Sequence, residues 1–108
     1  MTKSYLNLLG LASVARKLVS GETLLKSIRR QEVKLVLIAN DASDNTKKKL
    51  TDKCHYYGID CYIIEENHDT LSKAIGKKRV AVGISDAGFA DKIKKIIGGW
   101  FYGKKEQK

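Results

Sequence analysis

Leu35-Val36-Leu37-Ile38-Ala39 is an unbroken apolar run, followed at once by Asn40-Asp41-Ala42-Ser43, which carries turn and helix-cap chemistry. Side chains of a strand alternate between two faces, so a strand apolar at every position must be covered on both. The run therefore predicts a central strand with helices above and below it.

Working toward the N-terminus, Gly21 to Arg30 reads as a helix that buries Leu24, Leu25 and Ile28. Leu18-Val19 before it is a short strand or extended link. Tyr5, Leu8, Leu9, Ala12 and Ala15 recur at helical spacing and predict an amphipathic helix over residues 3–16.

Toward the C-terminus, Ser43, Asp44 or Asn45 can cap a helix with Thr46, Leu50, Cys54 and Tyr57 inward and Gly58 as its left-handed stop. Ile59 to Ile64 reads as a strand. Asp69 caps a short helix with Leu71, Ala74 and Ile75 inside and Gly76 at its end, and Val80 to Ile84 supplies the next strand. Ser85 or Asp86 opens a last helix burying Phe89, Ile93, Ile96 and Ile97. The alternation predicts an α/β fold, a three-layer α/β/α sandwich around a mixed sheet of about four strands. Residues 1–98 form one domain on this reading. Residues 99–108, with Trp100-Phe101-Tyr102, form an aromatic and charged appendage whose rings either stack on a partner or seal a core edge.

Composition narrows the function. Apolar residues at 43% and charged residues at 31% fit a folded domain rather than a disordered chain. No apolar run approaches the roughly 20 residues that span a bilayer, and the N-terminus lacks a cleavage-type signal, so a cytoplasmic protein without membrane contact is expected. Cys54 and Cys61 suit reduced thiols better than a disulfide framework. Twenty-one lysines and arginines against 12 acidic residues leave a net charge of +9, an excess that favours a polyanionic partner, with nucleic acid first.

Reactive constellations are scarce. Nucleophile-elbow, Walker and dinucleotide motifs are absent from the sequence. Asp41 and Asp44 follow a buried strand, where α/β enzymes place catalytic groups, but a turn and a cap explain them as well. Cys54, His55, Cys61 and His68 lack the paired spacing of zinc ligands. Neither a catalytic residue nor a metal or other cofactor is assigned.

The basic residues carry more information. Arg16-Lys17, Arg29-Arg30, Lys47-Lys48-Lys49, Lys77-Lys78-Arg79 and Lys92 with Lys94-Lys95 gather at element ends. Lys77-Lys78-Arg79 fills the turn before a strand, close to the start of the second helix if the sheet is wound as proposed. Phosphate contacts from such a loop would fix position, whereas base edges need shorter polar side chains. Ser20-Gly21-Glu22-Thr23 offers these at the start of a helix, whose N–H groups and dipole favour an anion. Glu22 would repel phosphate, but it can accept from guanine N1–H and amino groups. Alternatively, it only complements the helix dipole.

Five segments carry a resemblance covering roughly Tyr5 to Ile97. They are Leu9-Gly10-Leu11-Ala12, Ala15-Arg16-Lys17-Leu18-Val19-Ser20-Gly21-Glu22, Lys34 through Ser43, Ala74-Ile75-Gly76-Lys77, and Val82-Gly83-Ile84-Ser85-Asp86-Ala87-Gly88-Phe89-Ala90. In that order they resemble short bacterial proteins of the YlxQ type. Those proteins are similar to the ribosomal protein family of the archaeal seven-Ae and eukaryotic thirty-e type. The resemblance implies an α/β/α sandwich that recognises kink-turn RNA, a sharply bent helix with tandem sheared G·A pairs, as a monomer without cofactor.

It further implies that Gly21, Glu22, Thr23 and Lys26 read the G·A edges, while Ile75, Gly76, Lys77, Lys78, Arg79 and Val80 cover a flipped-out nucleotide and backbone. Ser20, Arg29 and Asn40 complete the candidate RNA-binding set. One spacing departs from the family, because Gly21 to Lys26 is five positions rather than six. Either Ser20 takes the glycine's place or Lys26 is rotated from its usual contact. Glu22-Thr23 also stands where archaeal members have Asn-Glu. Two other readings stay open: an RNA-modification accessory domain centred on Asp41 and Asp44, and a basic protein-interaction module anchored by Trp100-Phe101-Tyr102.

Overall fold

The structure, a computed structural model, describes the backbone of residues 4–105 and the side chains of residues 5–97. Helices and strands alternate as α1 (Ser4–Val14), β1 (Leu18–Ser20), α2 (Thr23–Arg29), β2 (Leu35–Ile38), α3 (Asp44–Tyr57), β3 (Asp60–Ile63), α4 (His68–Ile75), β4 (Ala81–Ile84) and α5 (Ala87–Lys105). The strands form one mixed sheet in the order β1-β4-β2-β3. β4 pairs antiparallel with both β1 and β2, and β2 pairs parallel with β3.

The all-apolar central run behaves as its composition requires, with Leu35, Val36, Leu37 and Ile38 fully buried. Leu35 and Leu37 face a core built from α1, α4 and α5, including Tyr5, Leu9, Leu71, Ile75, Ile93 and Ile97. Val36 and Ile38 face a second core with Leu24 and Ile28 of α2 and Leu50 and Cys54 of α3. Three helices thus cover one face of the sheet and two the other, completing the expected sandwich.

Several boundaries differ from the pattern reading for identifiable reasons. α1 stops at Val14 rather than residue 16, and Ala15 is exposed, because Arg16 takes a left-handed φ of 62°. The Arg16 and Lys17 N–H groups then donate to the Ser13 and Ala12 carbonyls at 3.1 and 2.8 Å, closing a Schellman turn. α2 is shorter than the expected span from Gly21 to Arg30. Gly21 is left-handed, Glu22 is the N-cap, and Gln31 (φ 59°) closes the far end by the same device.

Ser43 is the cap chosen for α3, its hydroxyl accepting from Thr46 N–H. Asn67, not Asp69, caps α4, because only Asn67 has the extended backbone a cap needs; it accepts from Thr70 N–H at 3.0 Å. Asp86 caps α5, accepting from Phe89 N–H at 2.9 Å. Helical backbone continues past residue 98, where the sequence reading ended the domain, to Lys105. The roles expected for Trp100, Phe101 and Tyr102 concern side chains outside the described residues. Among the described residues, no helix is long and apolar enough to cross a membrane.

Gly83 in β4 shows how closely α2 is set onto the sheet. A methyl group there would stand 2.8 Å from Leu24 Cδ1 and 2.9 Å from Val33 Cγ1. Leu24 could swing its tip aside, but Val33 is β-branched and buried, with little rotamer freedom. Gly83→Ala should therefore destabilise the fold by about 1–3 kcal/mol through overpacking, read as a lower urea midpoint at unchanged slope. An unshifted midpoint would show that α2 can ride outward freely.

Candidate nucleic-acid interface

The sheet register brings four strand ends to one rim. Ser20 pairs with Val82, Ile38 with Ala81, and Ile38 with Ile63, so β1, β2 and β3 end there and β4 begins there. The loops leaving this rim hold nearly every residue singled out from sequence. Ligands of open α/β sheets commonly bind beyond such strand ends, where connecting loops diverge.

The β1–α2 turn is built by Gly21, whose φ of 70° is left-handed. Ser20 is the last residue of β1, so the turn is made by the glycine itself. Thr23 closes the turn by donating its hydroxyl to the Ser20 carbonyl at 2.9 Å. Glu22 is exposed at the N-cap, and its side chain makes no cap hydrogen bond. Lys26 is exposed four residues on, on the same stripe as Glu22. With α2 only two turns long, the side chains of this stripe define the surface more than any helix dipole does.

The α4–β4 loop begins at buried Ile75, whose carbonyl accepts from the Ser13 hydroxyl at 2.9 Å, and turns at left-handed Gly76. Lys77 and Lys78 are exposed, and Val80 is an exposed apolar side chain. Arg79 behaves differently from its two neighbours. Its backbone N–H donates to the Ser72 hydroxyl at 3.0 Å, while its guanidinium Nε donates to Ser20 Oγ at 2.9 Å and Nη1 to the Lys78 carbonyl at 2.8 Å. The guanidinium also lies against Gly21, where a Cβ would stand 3.4 Å from Nη2. Arg79, expected as one of three exposed cations, is instead half-buried and latches the two loops together.

Asn40 lies at the same rim but spends its groups internally. Its Nδ2 donates to the Glu65 carbonyl at 2.6 Å and its backbone N–H to that of Glu66 at 3.0 Å, fixing the end of β2 to the loop after β3. The Tyr5 hydroxyl, reaching from α1, donates to the Glu66 carboxylate. Arg29 is the residue the structure does not bring to the rim. It stands about 10 Å along α2 from Glu22, at the far end of the helix.

Three residues beside this rim escaped the pattern reading. Ser13, Arg16 and Leu18 line a hollow of about 410 Å³ with Ser20, Ile75 and Lys77. The Arg16-Lys17 pair was visible as charge, but nothing in an arginine announces a left-handed backbone.

Of the two aspartates considered for catalysis, Asp41 is engaged by the start of α4. Asp41 accepts from the His68 N–H at 2.8 Å and from its ring Nδ1 at 2.6 Å. The His68 hydrogen bond holds the Asp41 carboxyl below its ordinary value. That contribution to stability is present above the ordinary carboxylate range and is lost as pH falls through the lowered value. Asp44 occupies the first turn of α3 behind the Ser43 cap. Cys54 is in the core, and among the described residues no three His, Cys, Asp or Glu groups converge as a metal site.

The class of domain is an α/β/α sandwich with two latched loops on one rim, flanked by exposed lysines. The chain belongs to the ribosomal protein L7Ae/L30e/S12e/Gadd45 family, which residues 3–94 match. It is similar to the RNA-binding protein YlxQ of Bacillus subtilis (strain 168), with 51% identity covering 83% of this chain and 91% of that protein. The RNA-binding protein YlxQ of Enterococcus faecium is 46% identical, covering 87% and 91%. A protein of unknown function from Bacillus halodurans C superposes with a TM-score of 0.82 at 44% identity, covering 86% of this chain and 95% of that one. The Giardia lamblia 15.5kD RNA binding protein shares the fold, with a TM-score of 0.70 at 23% identity over 87% and 82% of the two chains.

The latch makes a direct prediction. Ser20→Ala and Arg79→Ala should each lower stability by about 1 kcal/mol, with a double-mutant coupling on the order of 0.5–1 kcal/mol in denaturant unfolding. Strict additivity would mean that the Arg79–Ser20 bond does not hold the loops together.

Proposed function

We propose that this chain is a non-catalytic RNA-binding protein, ribosomal or ribosome-associated, that recognises kink-turn RNA and stabilises its bent form. The observation that carries the reading is the latched pair of loops, which sets a carboxylate at Glu22 and exposed cations at Lys26, Lys77 and Lys78 on one rim. A carboxylate among cations is a poor general phosphate surface and a good base-edge reader, because guanine presents donors that a carboxylate can accept. Membership of the family, and the RNA-binding names of the two YlxQ relatives, support RNA as the partner.

On this reading Gly21, Glu22, Thr23 and Lys26 face the tandem G·A pairs. Ile75, Gly76, Lys77, Lys78 and Val80 cover the flipped-out nucleotide and its backbone. Arg79, Ser20 and Asn40 hold those loops in place, and Arg29 serves an RNA arm further out. The protein acts in the cytoplasm as a monomer, its residues 1–98 forming the RNA-binding domain.

The test is a salt titration of binding to a kink-turn RNA beside the same RNA with its G·A pairs changed to Watson–Crick pairs. The kink-turn should bind at least about a hundredfold more tightly at physiological salt, ~2.7 kcal/mol. Equal affinities that fade together would leave only counterion release and overturn the reading.

Glu22→Ala should cost on the order of 1–3 kcal/mol on the kink-turn and little on a generic duplex. Equal losses on both RNAs would remove Glu22 as a base reader. Lys78→Ala should weaken all RNAs alike and make the salt slope shallower by roughly 0.7–0.9. An unchanged slope would place Lys78 off the RNA.

A further inference from the structure

Both covered faces of the sheet carry cations, but on different helices. On one face, α1 carries no charged residue, α4 carries one lysine and one aspartate, and α5 carries Lys92, Lys94 and Lys95 beside Asp91. On the other, α2 exposes Lys26 and Arg29, and α3 carries Lys47, Lys48, Lys49 and Lys53 against Asp44 and Asp52. Lys48 lies 3.4 Å from Asp52, which leaves Lys49 and Lys53, one turn apart, as exposed cations on the helix.

One turn beyond Lys53 on the same stripe stands Tyr56, which is 78% exposed, whereas the other described tyrosines are buried or half-buried. Its ring meets that of Tyr57 edge to face, with centroids 4.8 Å apart and planes at 84°. Tyr57 is half-buried against the α2/α3 core, and its carbonyl accepts from Gln31 Nε2 at 3.1 Å. Tyr56 is therefore steadied by an anchored partner, which lowers the ordering cost of anything that stacks on it.

The placement of the helix gives this stripe a direction. α3 starts at the rim that carries the candidate site, directly after Asn40 to Ser43, and runs back across the sheet. Tyr56 lies about 18 Å along it from Asp44. Spaced cations ending in an accessible aromatic are the chemistry of a single-stranded nucleic-acid track, phosphates on the lysines and a base on the ring. A duplex, whose bases are already stacked, would leave the tyrosine idle.

We propose that the exposed stripe of α3, Lys49, Lys53 and Tyr56, is a second RNA contact, taking an unpaired strand that flanks the structured RNA held at the rim. The inference rests on the RNA-binding reading above but concerns a different surface and a different feature of the RNA.

The experiment uses the full chain and three kinds of RNA. These are a flush-ended kink-turn, the same RNA with about eight unpaired nucleotides added at the 5′ or the 3′ end, and a plain duplex with and without the same extensions. One of the two extensions should tighten kink-turn binding about tenfold. Tyr56→Ala should abolish that gain and leave the flush-ended affinity unchanged, while Tyr56→Phe keeps the gain because stacking uses the ring face. Lys49→Gln with Lys53→Gln should reduce the salt slope on the extended RNA by roughly 1.4. No gain from either extension, or an equal loss on flush and extended RNA in Tyr56→Ala, overturns the proposal. A wild-type protein that ignores the kink yet binds extended duplex more tightly than flush duplex keeps this inference and removes the reading beneath it.

Discussion

The pairing of β4 between β1 and β2 is the constraint on which the rest of the molecule depends. It is antiparallel on both sides, so the loop that leads into β4 meets the turn that leaves β1 although some sixty residues separate them. Arg79 and Ser20 can bond only because of that register. Were β4 to slip by one residue, its side chains would exchange faces and Val82 and Ile84 would leave the core they share with Leu35 and Leu37. The same burial that stabilises the sheet therefore fixes the spacing of the two candidate recognition loops.

Within those loops the charged residues divide their labour. Lys77 and Lys78 stay exposed, whereas Arg79 turns inward and satisfies backbone and hydroxyl groups on both sides of the gap. A planar guanidinium with several fixed donors suits this bridging, where a lysine ammonium offers its three rotatable donors from a single point. Gly21 contributes its left-handed backbone, and the guanidinium lies alongside it. Preorganising the surface in the free protein leaves less conformational entropy to lose on association.

Charge is distributed by helix. Uncharged α1 leaves Leu11 and Val14 exposed, while α2 and α3 on one side of the sheet and α5 on the other gather lysines and arginines. The net charge of +9 therefore lies on both sides of the sheet, and it attracts a polyanion before any specific contact forms.

The sequence alone determined the layers. The unbroken apolar run at Leu35 to Ala39 required cover on both faces, and the helical stripes supplied it, because burial of apolar surface is written in residue type and periodicity. It also marked both candidate loops through charge and Gly21, and the family through motifs spread along the chain. Tertiary structure alone decided three things. Arg16 and Gln31 end helices with left-handed backbones, a conformation their side chains do not favour and only surrounding contacts impose. Asn67 displaced Asp69 as a cap because capping depends on backbone dihedrals and not on side-chain chemistry alone. Arg79 became a latch while its lysine neighbours stayed exposed, since a cation's role depends on which acceptors lie within hydrogen-bond distance. Those acceptors come from residues distant in sequence, and only the folded sheet assembles them.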